Sequence, residues 1–177
     1  VIDEDNKKGN ISDILERKNE LIRPASANID QAMVIFAVKS PEPNYNLLDR
    51  FILMMDYQDV PTVVVFNKTD LVEEKDIEEL KKIYEKCGCK VIFISAYDNT
   101  GIDILMDTLK DKTTILAGPS GVGKSSLTNI ILPDRNEEGE ISKTGDVSRI
   151  GRGRHTTRHS EIFNVTGSTY ICDTPGF

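Results

Sequence analysis

The fold of this chain is decided by residues 118–125, which read Gly118-Pro119-Ser120-Gly121-Val122-Gly123-Lys124-Ser125. They follow the apolar run at 113–117 and precede a helical pattern at 124–132, so they stand where a strand gives way to a helix. The glycines let backbone N–H groups converge on phosphate oxygens at the positive end of a helix dipole. Lys124 would supply a cation for the β- and γ-phosphates, and Ser125 a hydroxyl for Mg²⁺. The alternative is a glycine-rich turn with a surface lysine. The predicted phosphate-binding residues are Gly118, Ser120, Gly121, Val122, Gly123, Lys124, Ser125 and Ser126.

Outward from this loop, strand and helix patterns alternate. Continuous β-branched or apolar runs, which are typical of parallel strands covered on both faces, occupy residues 32–38, 62–66, 91–94 and 113–117. Helical stripes separate them, at 47–55, 77–84, 102–109 and 124–132. Two further strands, 161–165 and 169–172, flank a Thr-Gly-Ser turn and predict a hairpin. The pattern predicts an α/β fold with a doubly wound, mostly parallel sheet of six strands.

The strands also predict a topology. The strand at 113–117 should lie centrally, between 169–172 on one side and 32–38 on the other. Strand 161–165 should form one edge, with 62–66 and then 91–94 toward the opposite edge. The loops that carry the nucleotide motifs would then leave the same rim, where open α/β sheets bind ligands.

Two candidate guanine-recognition motifs follow neighbouring strands. In Asn67-Lys68-Thr69-Asp70, the Asp70 carboxylate can accept hydrogen bonds from the guanine N1–H and exocyclic amine, donors that adenine does not present in that arrangement. Asn67 is expected to brace neighbouring loops, and the Lys68 stem to cover one face of the base. The backbone of Ser95-Ala96 can meet the guanine O6. Taken alone, the first motif is equally an ordinary polar turn after a strand. Together, the two motifs favour GTP over ATP.

A last motif, Asp173-Thr174-Pro175-Gly176, closes the final strand. Asp173 is expected to act on Mg²⁺ through a bound water, and the Gly176 N–H to touch the γ-phosphate. Its structural alternative is a strand-ending turn, because D-x-P-G is common turn chemistry. Its position after the phosphate loop favours the functional interpretation.

Residues 134–160 contain few apolar side chains, several glycines and a cluster of cations. Thr156 or Thr157, with Thr157 preferred, would close on Mg²⁺ and the γ-phosphate. The arginines of this segment favour contact with a phosphate backbone, although a solvated loop is the alternative. They are Arg149, Arg152, Arg154 and Arg158.

The order of the motifs is informative, because the base-recognition motifs precede the phosphate loop, whereas ordinary GTPases have the reverse order. A pocket needs its loops adjacent in space rather than in sequence, so the order indicates a circularly permuted GTPase. Phe177 stands where many GTPases place a glutamine that orients the attacking water. We hypothesise that His155 takes that role; the alternative is a solvated loop histidine.

Composition narrows the class. The chain has 177 residues, 38% of them hydrophobic, enough for one sizeable core. A net charge of −7 argues against a chain that coats nucleic acid all over. Three cysteines are too few for a disulfide framework, and no apolar run approaches membrane-spanning length. We expect a cytoplasmic monomer without a membrane contact.

The order of motifs, the Gly-Arg-Gly-Arg-His-Thr-Thr-Arg segment at 151–158, Asp-Thr-Pro-Gly-Phe at 173–177 and Lys-Asn-Glu-Leu-Ile-Arg-Pro at 18–24 resemble the ribosome small-subunit-dependent GTPase A family, RsgA. The resemblance implies a GTPase that uses Mg²⁺, is stimulated by the small ribosomal subunit and its rRNA, and acts late in maturation of that subunit. It also implies an N-terminal OB-fold domain, of which residues 1–28 would be a remnant or linker, before a permuted GTPase domain at 29–177. The family's C-terminal zinc domain, and with it any zinc, is expected to be absent from this sequence.

Three alternatives remain open at this point. A nucleotide-gated RNA- or ribosome-binding module with negligible hydrolysis is favoured by Phe177. A permuted GTPase of large-subunit assembly shares the motif order. A P-loop ATPase or kinase is opposed by Asp70. Whether residues 1–28 pack on the rest is also left open.

Overall fold

A computed structural model of the chain describes residues 2–3, 8–9, 13–22, 25–132 and 161–174. Within these residues the helices are α1 (Tyr45–Tyr57), α2 (Glu74–Tyr84), α3 (Ile102–Leu109) and α4 (Lys124–Ile131). The strands are β1 (Ile2–Asp3), β2 (Lys8–Gly9), β3 (Glu20–Leu21), β4 (Ser26–Ala27), β5 (Gln31–Ala37), β6 (Thr62–Asn67), β7 (Lys90–Phe93), β8 (Thr113–Ala117), β9 (Glu161–Thr166) and β10 (Thr169–Asp173).

The main sheet has six strands in the order β7-β6-β5-β8-β10-β9. All neighbouring pairs are parallel except β9 and β10, which form an antiparallel hairpin. The predicted topology is therefore confirmed, including the central place of β8. The predicted strand boundaries are correct to within one residue, because apolar runs flanked by polar or glycine residues define strands sharply.

Helices cover both faces of this sheet, which explains why the central strands are apolar except near their ends. In β5 the side chains alternate between two cores: Val34 and Phe36 face one, Met33 and Ile35 the other. Helices α1 and α2 supply the first core, with Met55 fully buried, and α3 and α4 supply the second. Burying a side chain of this size contributes about 1.5–3 kcal/mol each.

One predicted helical stripe is narrower than its sequence suggests. Leu80 and Tyr84 of α2 are buried, four residues apart on one face, and the Tyr84 ring lies 5.3 Å from that of Phe66. Ile83 lies within the predicted stripe at 77–84, but it is 59% exposed. Its position is one residue before Tyr84, a rotation of about 100° around the helix, and it points away from the sheet.

The segment before the sheet packs on it. Leu21 is 2% exposed and belongs to the core that α1 covers. The Asn19 side chain donates to the Ile29 carbonyl at 2.6 Å and accepts from the Ile29 N–H at 2.9 Å. Lys18 pairs with Asp30, whose other carboxylate oxygen accepts from the Thr113 N–H at 2.8 Å. Residues 18–22 are therefore tied to the first residue of the central strand β8.

Candidate nucleotide-binding site

The carboxyl ends of the parallel strands gather the predicted motifs at one rim. The phosphate loop follows β8, and Asp173 is the last residue of β10. The motif at 67–70 begins at the last residue of β6, and Ser95 and Ala96 come just after β7. Each motif was predicted separately from the sequence. In the sheet, β7 and β6 are neighbours and β8 and β10 are neighbours, with β5 between the two pairs. The motifs therefore lie at the carboxyl ends of the strands, which is the position of ligand sites in open α/β sheets.

Two glycines of the phosphate loop are required by close backbone approaches. A Cβ on Gly118 would lie 2.2 Å from the carbonyl oxygen of Ile35 in β5. A Cβ on Gly123, at φ +94°, would lie 2.3 Å from the Asn67 side-chain nitrogen. Both distances are far shorter than a carbon contact allows, so the loop keeps this path against β5 and β6 only without side chains at these positions.

Lys124, the first residue of α4, is buried in an ion pair. Its Nζ lies 3.4 Å from Asp173 Oδ1 and donates to the Thr174 carbonyl at 2.6 Å. Lys124 is 7% exposed and Asp173 4%. Thr174 is fixed in turn, because its hydroxyl donates to the Leu116 carbonyl at 2.6 Å. The two charges were predicted as separate ligands of phosphate and magnesium; their direct pairing was not predicted.

Asn67 connects three loops. Its Nδ2 donates to the Val122 carbonyl in the phosphate loop at 2.8 Å, and its Oδ1 accepts from the Ala96 N–H at 3.1 Å. The side chain is 1% exposed. The expectation that Asn67 braces neighbouring loops is confirmed.

Lys68 has a left-handed backbone conformation, with φ at +67°, and its side chain connects two loops. Its ammonium donates to the carbonyls of Ser40 and Gly121, and the latter distance is 2.8 Å. Partial burial lowers the pKa of Lys68, and the Asp70 carboxylate opposes that shift. Ser40 was missed by sequence reasoning, because a backbone carbonyl in a loop leaves no sequence signal. With its end fixed at two carbonyls, the Lys68 stem forms part of the cavity wall.

Asp70 and Ser95 form a hydrogen-bonded pair at the edge of the cavity. Ser95 Oγ donates to Asp70 Oδ1 at 2.7 Å and accepts from the N–H groups of Tyr97 at 3.3 Å and Asp98 at 3.4 Å. Ser95 is fully buried, whereas Asp70 is exposed. One carboxylate oxygen is thus oriented by the protein, and the exposed group can present the other to a ligand.

These residues enclose a cavity of about 320 Å³. It is lined by Asn67, Lys68, Asp70, Ala96, Tyr97, Gly123 and Ser126. The lining combines both base-recognition motifs with the start of α4, so one ligand in the cavity meets both. Tyr97 was not predicted as a site residue.

A larger cavity, of about 820 Å³, lies at the opposite rim, where Gln31, Thr62 and Lys90 begin their strands. Size alone does not make it the better candidate. Both of its ammonium groups already donate to protein oxygens: Lys90 to Thr108 Oγ1 at 2.8 Å and Lys112 to Gln31 Oε1 at 3.1 Å. They stand at the C-terminal end of α3, where the helix dipole disfavours an anion.

The oxygen donors suit Mg²⁺. Ser125 adds a hydroxyl in the first turn of α4, beside Lys124, which contacts the Asp173 carboxylate. In the part of the chain that the structure describes, no cluster of three or more acidic, cysteine or histidine side chains could hold a metal. Mg²⁺ is commonly held by one or two carboxylates with waters and substrate phosphates, which fits one carboxylate and one hydroxyl at the phosphate loop.

Several predicted residues lie outside the described part of the chain. They are the arginines Arg149, Arg152, Arg154 and Arg158, with His155, Thr156, Thr157, Gly176 and Phe177. Their proposed roles therefore stay predictions.

The family model described as RsgA GTPase matches residues 14–177. The chain belongs to the RsgA GTPase family. It is 53% identical over its whole length to a protein of Agathobacter rectalis and 48% identical over 98% of its length to one of Clostridium perfringens, both named small ribosomal subunit biogenesis GTPase RsgA. The chain spans 57–58% of the length of these two relatives.

Two solved structures share the fold. YjeQ from Thermotoga maritima aligns with a TM-score of 0.75 at 33% identity, covering 98% of this chain and 57% of that one. YloQ, described as a circularly permuted GTPase, aligns with a TM-score of 0.66 at 35% identity, covering 93% of this chain and 50% of that one. The predictions of family and of a circularly permuted GTPase fold are confirmed. Among the described helices, none is long and apolar enough to cross a membrane.

Proposed function

We propose that the protein binds GTP and GDP at this rim and hydrolyses GTP during late maturation of the small ribosomal subunit. The observation that carries the proposal is the cavity in which Asp70 and the start of α4 line the same space. A guanine at Asp70 then places its phosphates toward the loop at 118–125. The names of the relatives support the ribosomal part of the proposal.

Base selection rests on the oriented carboxylate of Asp70. Two donors on the guanine edge satisfy it, whereas adenine would leave it without its partners. The Ser95 hydroxyl holds Asp70 in place, and Asn67 holds the Ala96 backbone beside it. Asp70 therefore favours guanine nucleotides over adenine nucleotides.

Phosphate binding requires Lys124 to change partners. Its ammonium now contacts Asp173 and the Thr174 carbonyl. The terminal phosphate of bound GTP or GDP offers the ammonium a stronger, doubly charged acceptor. The Asp173 carboxylate is released when Lys124 moves to that phosphate. Ser125, Asp173 and Thr157 are the residues that would hold Mg²⁺, which neutralises charge on the phosphates when bound. In this scheme the Lys124–Asp173 contact is replaced by two others: Lys124 contacts a phosphate, and Asp173 helps to hold the Mg²⁺ that accompanies the nucleotide.

Hydrolysis needs a group that orients water, and Phe177 can neither donate nor accept a hydrogen bond for that purpose. We assign the role to His155, brought to the γ-phosphate when the segment containing Thr157 closes on it. Stabilising groups that a partner supplies are worth about 10³–10⁵ in rate for related enzymes. Slow turnover of the free protein, and stimulation by the small subunit, are expected.

The remaining features of the proposal concern the intact protein. Arg149, Arg152, Arg154 and Arg158 would contact rRNA phosphates, whose binding weakens steeply as salt rises. We further propose a monomer in the cytoplasm, where ribosomes assemble, with zinc held only in a separate C-terminal domain.

A second candidate, a nucleotide-gated binding module with negligible hydrolysis, is favoured by Phe177 alone. Single-turnover GTP hydrolysis by the intact protein, with and without small subunits, separates the two. Subunit-stimulated phosphate release supports the GTPase; GTP binding without release at either condition supports the module.

Co-sedimentation of the intact protein with each ribosomal subunit tests the partner. With a GTP analogue bound, it should pellet with the small subunit and remain in the supernatant with the large one. The reverse distribution would contradict the assignment to the small subunit.

A further inference from the structure

Tyr97 is the aromatic residue among those that line the cavity, and it belongs to neither base-recognition motif. Its side chain is 89% exposed, although it borders a cavity. Single exposed aromatic residues are common on protein surfaces, so exposure alone means little. Tyr57, at the end of α1, is equally exposed at 90% and does not line this cavity. What distinguishes Tyr97 is its position beside Asp70.

The backbone of Tyr97 is held firmly relative to Asp70. The Ser95 hydroxyl connects the two residues: it donates to the Asp70 carboxylate and accepts from the Tyr97 N–H. The loop is closed by a hydrogen bond from the Ser95 N–H to the Thr100 carbonyl at 3.0 Å, and Asp98 accepts from the Thr100 N–H at 3.0 Å. The ring is therefore exposed on a fixed loop rather than on a free one, which lowers the ordering cost of a contact.

We infer that the Tyr97 ring packs against the purine base whose edge Asp70 recognises. This inference rests on the proposed function and adds a binding residue to it. An aromatic ring against a base face contributes affinity that tolerates changes at the base edge, because every purine has a π-face. Tyr97 then adds affinity, and Asp70 adds selectivity. The contact slows nucleotide release more than it speeds binding.

The first test measures GDP and IDP affinity by displacement of a fluorescent nucleotide from the chain. Tyr97→Ala should weaken GDP binding about tenfold, and Tyr97→Phe should keep it within about twofold, because the ring does the packing. The affinity for IDP, which lacks the exocyclic amine, should fall by the same factor as the affinity for GDP when Tyr97 is replaced by alanine. Tyr57→Ala, the matched exposed tyrosine, should leave both affinities unchanged.

The second test uses the absence of tryptophan from the sequence. Tyr97→Trp introduces a single reporter, whose emission should change on addition of GDP through contact with the base. Tyr57→Trp, the control, should not respond.

The outcomes separate this inference from the function on which it rests. The Tyr97 contact would be overturned if GDP affinity were unchanged in Tyr97→Ala, or if the emission of Tyr97→Trp did not change when GDP binds. Neither result would contradict the nucleotide site itself. A wild-type chain that binds no guanine nucleotide would overturn both.

Discussion

At the scale of single residues, Lys124 and Asp173 form a buried ion pair within the site. Each charge is almost fully removed from water and is compensated by the other. Removing one partner leaves a buried charge alone, a change that costs about 3–5 kcal/mol, whereas replacing both is often close to neutral.

We therefore expect Lys124→Met to lower the free energy of unfolding by about 3 kcal/mol, and Lys124→Met with Asp173→Asn to restore most of it. Chemical denaturation followed by circular dichroism measures both. A double variant as unstable as the single one would show that the pair is not the cause. Neither variant should bind GDP, because both lack the ammonium.

His155 gives a second prediction at this scale. Intact protein carrying His155→Ala should lose at least about 100-fold in subunit-stimulated GTP turnover, with GTP binding unchanged, because it no longer orients water. His159→Ala is the matched control, since it removes the other histidine of the sequence. Unchanged turnover in His155→Ala would remove this residue from the mechanism.

At the scale of elements, Asp30 links residues 18–22 to the central strand. One oxygen contacts Lys18 and the other accepts from the Thr113 N–H. The hydrogen bond from Lys18 and that from the Thr113 backbone lower the pKa of Asp30 below its ordinary 3.8, against the effect of burial. A carboxyl whose pKa is lowered by folding stabilises the fold above pH 3.8 and loses that contribution as the pH falls through its folded pKa.

Asp30→Asn should accordingly lower the melting temperature at neutral pH. The difference from the wild type should shrink as the pH falls below 3.8, where the wild-type carboxyl also becomes neutral. Thermal melts across that range measure it, with exposed Asp107→Asn on α3 as the control. A difference that is constant with pH would contradict the role of the charge.

Patterns in the sequence predicted elements better than the contacts between them. The topology followed from apolar runs and loop positions, and it is confirmed. The contacts of Lys68 with Ser40 and Gly121 were not predictable, because backbone carbonyls accept from any side chain that the fold brings near. The pairing of Lys124 with Asp173 depends on β8 and β10 being neighbours, and motif reading treats each residue alone.

At the scale of the whole molecule, circular permutation leaves the site intact because strand order in space, not in sequence, sets which loops meet. Asn67 illustrates this: it precedes Val122 of the phosphate loop by 55 residues along the chain yet donates directly to its carbonyl. We propose that one guanine nucleotide spans Asp70 and Lys124.

Calorimetric titration of the chain with GDP and XDP tests whether a single nucleotide contacts both residues. The wild type should bind one GDP and bind XDP poorly; Asp70→Asn should weaken GDP at least about 100-fold and gain XDP, because its amide N–H matches the extra carbonyl of xanthine. Lys124→Met should lose both diphosphates. Retention of full GDP affinity by Asp70→Asn, with no gain of XDP, would contradict the claim.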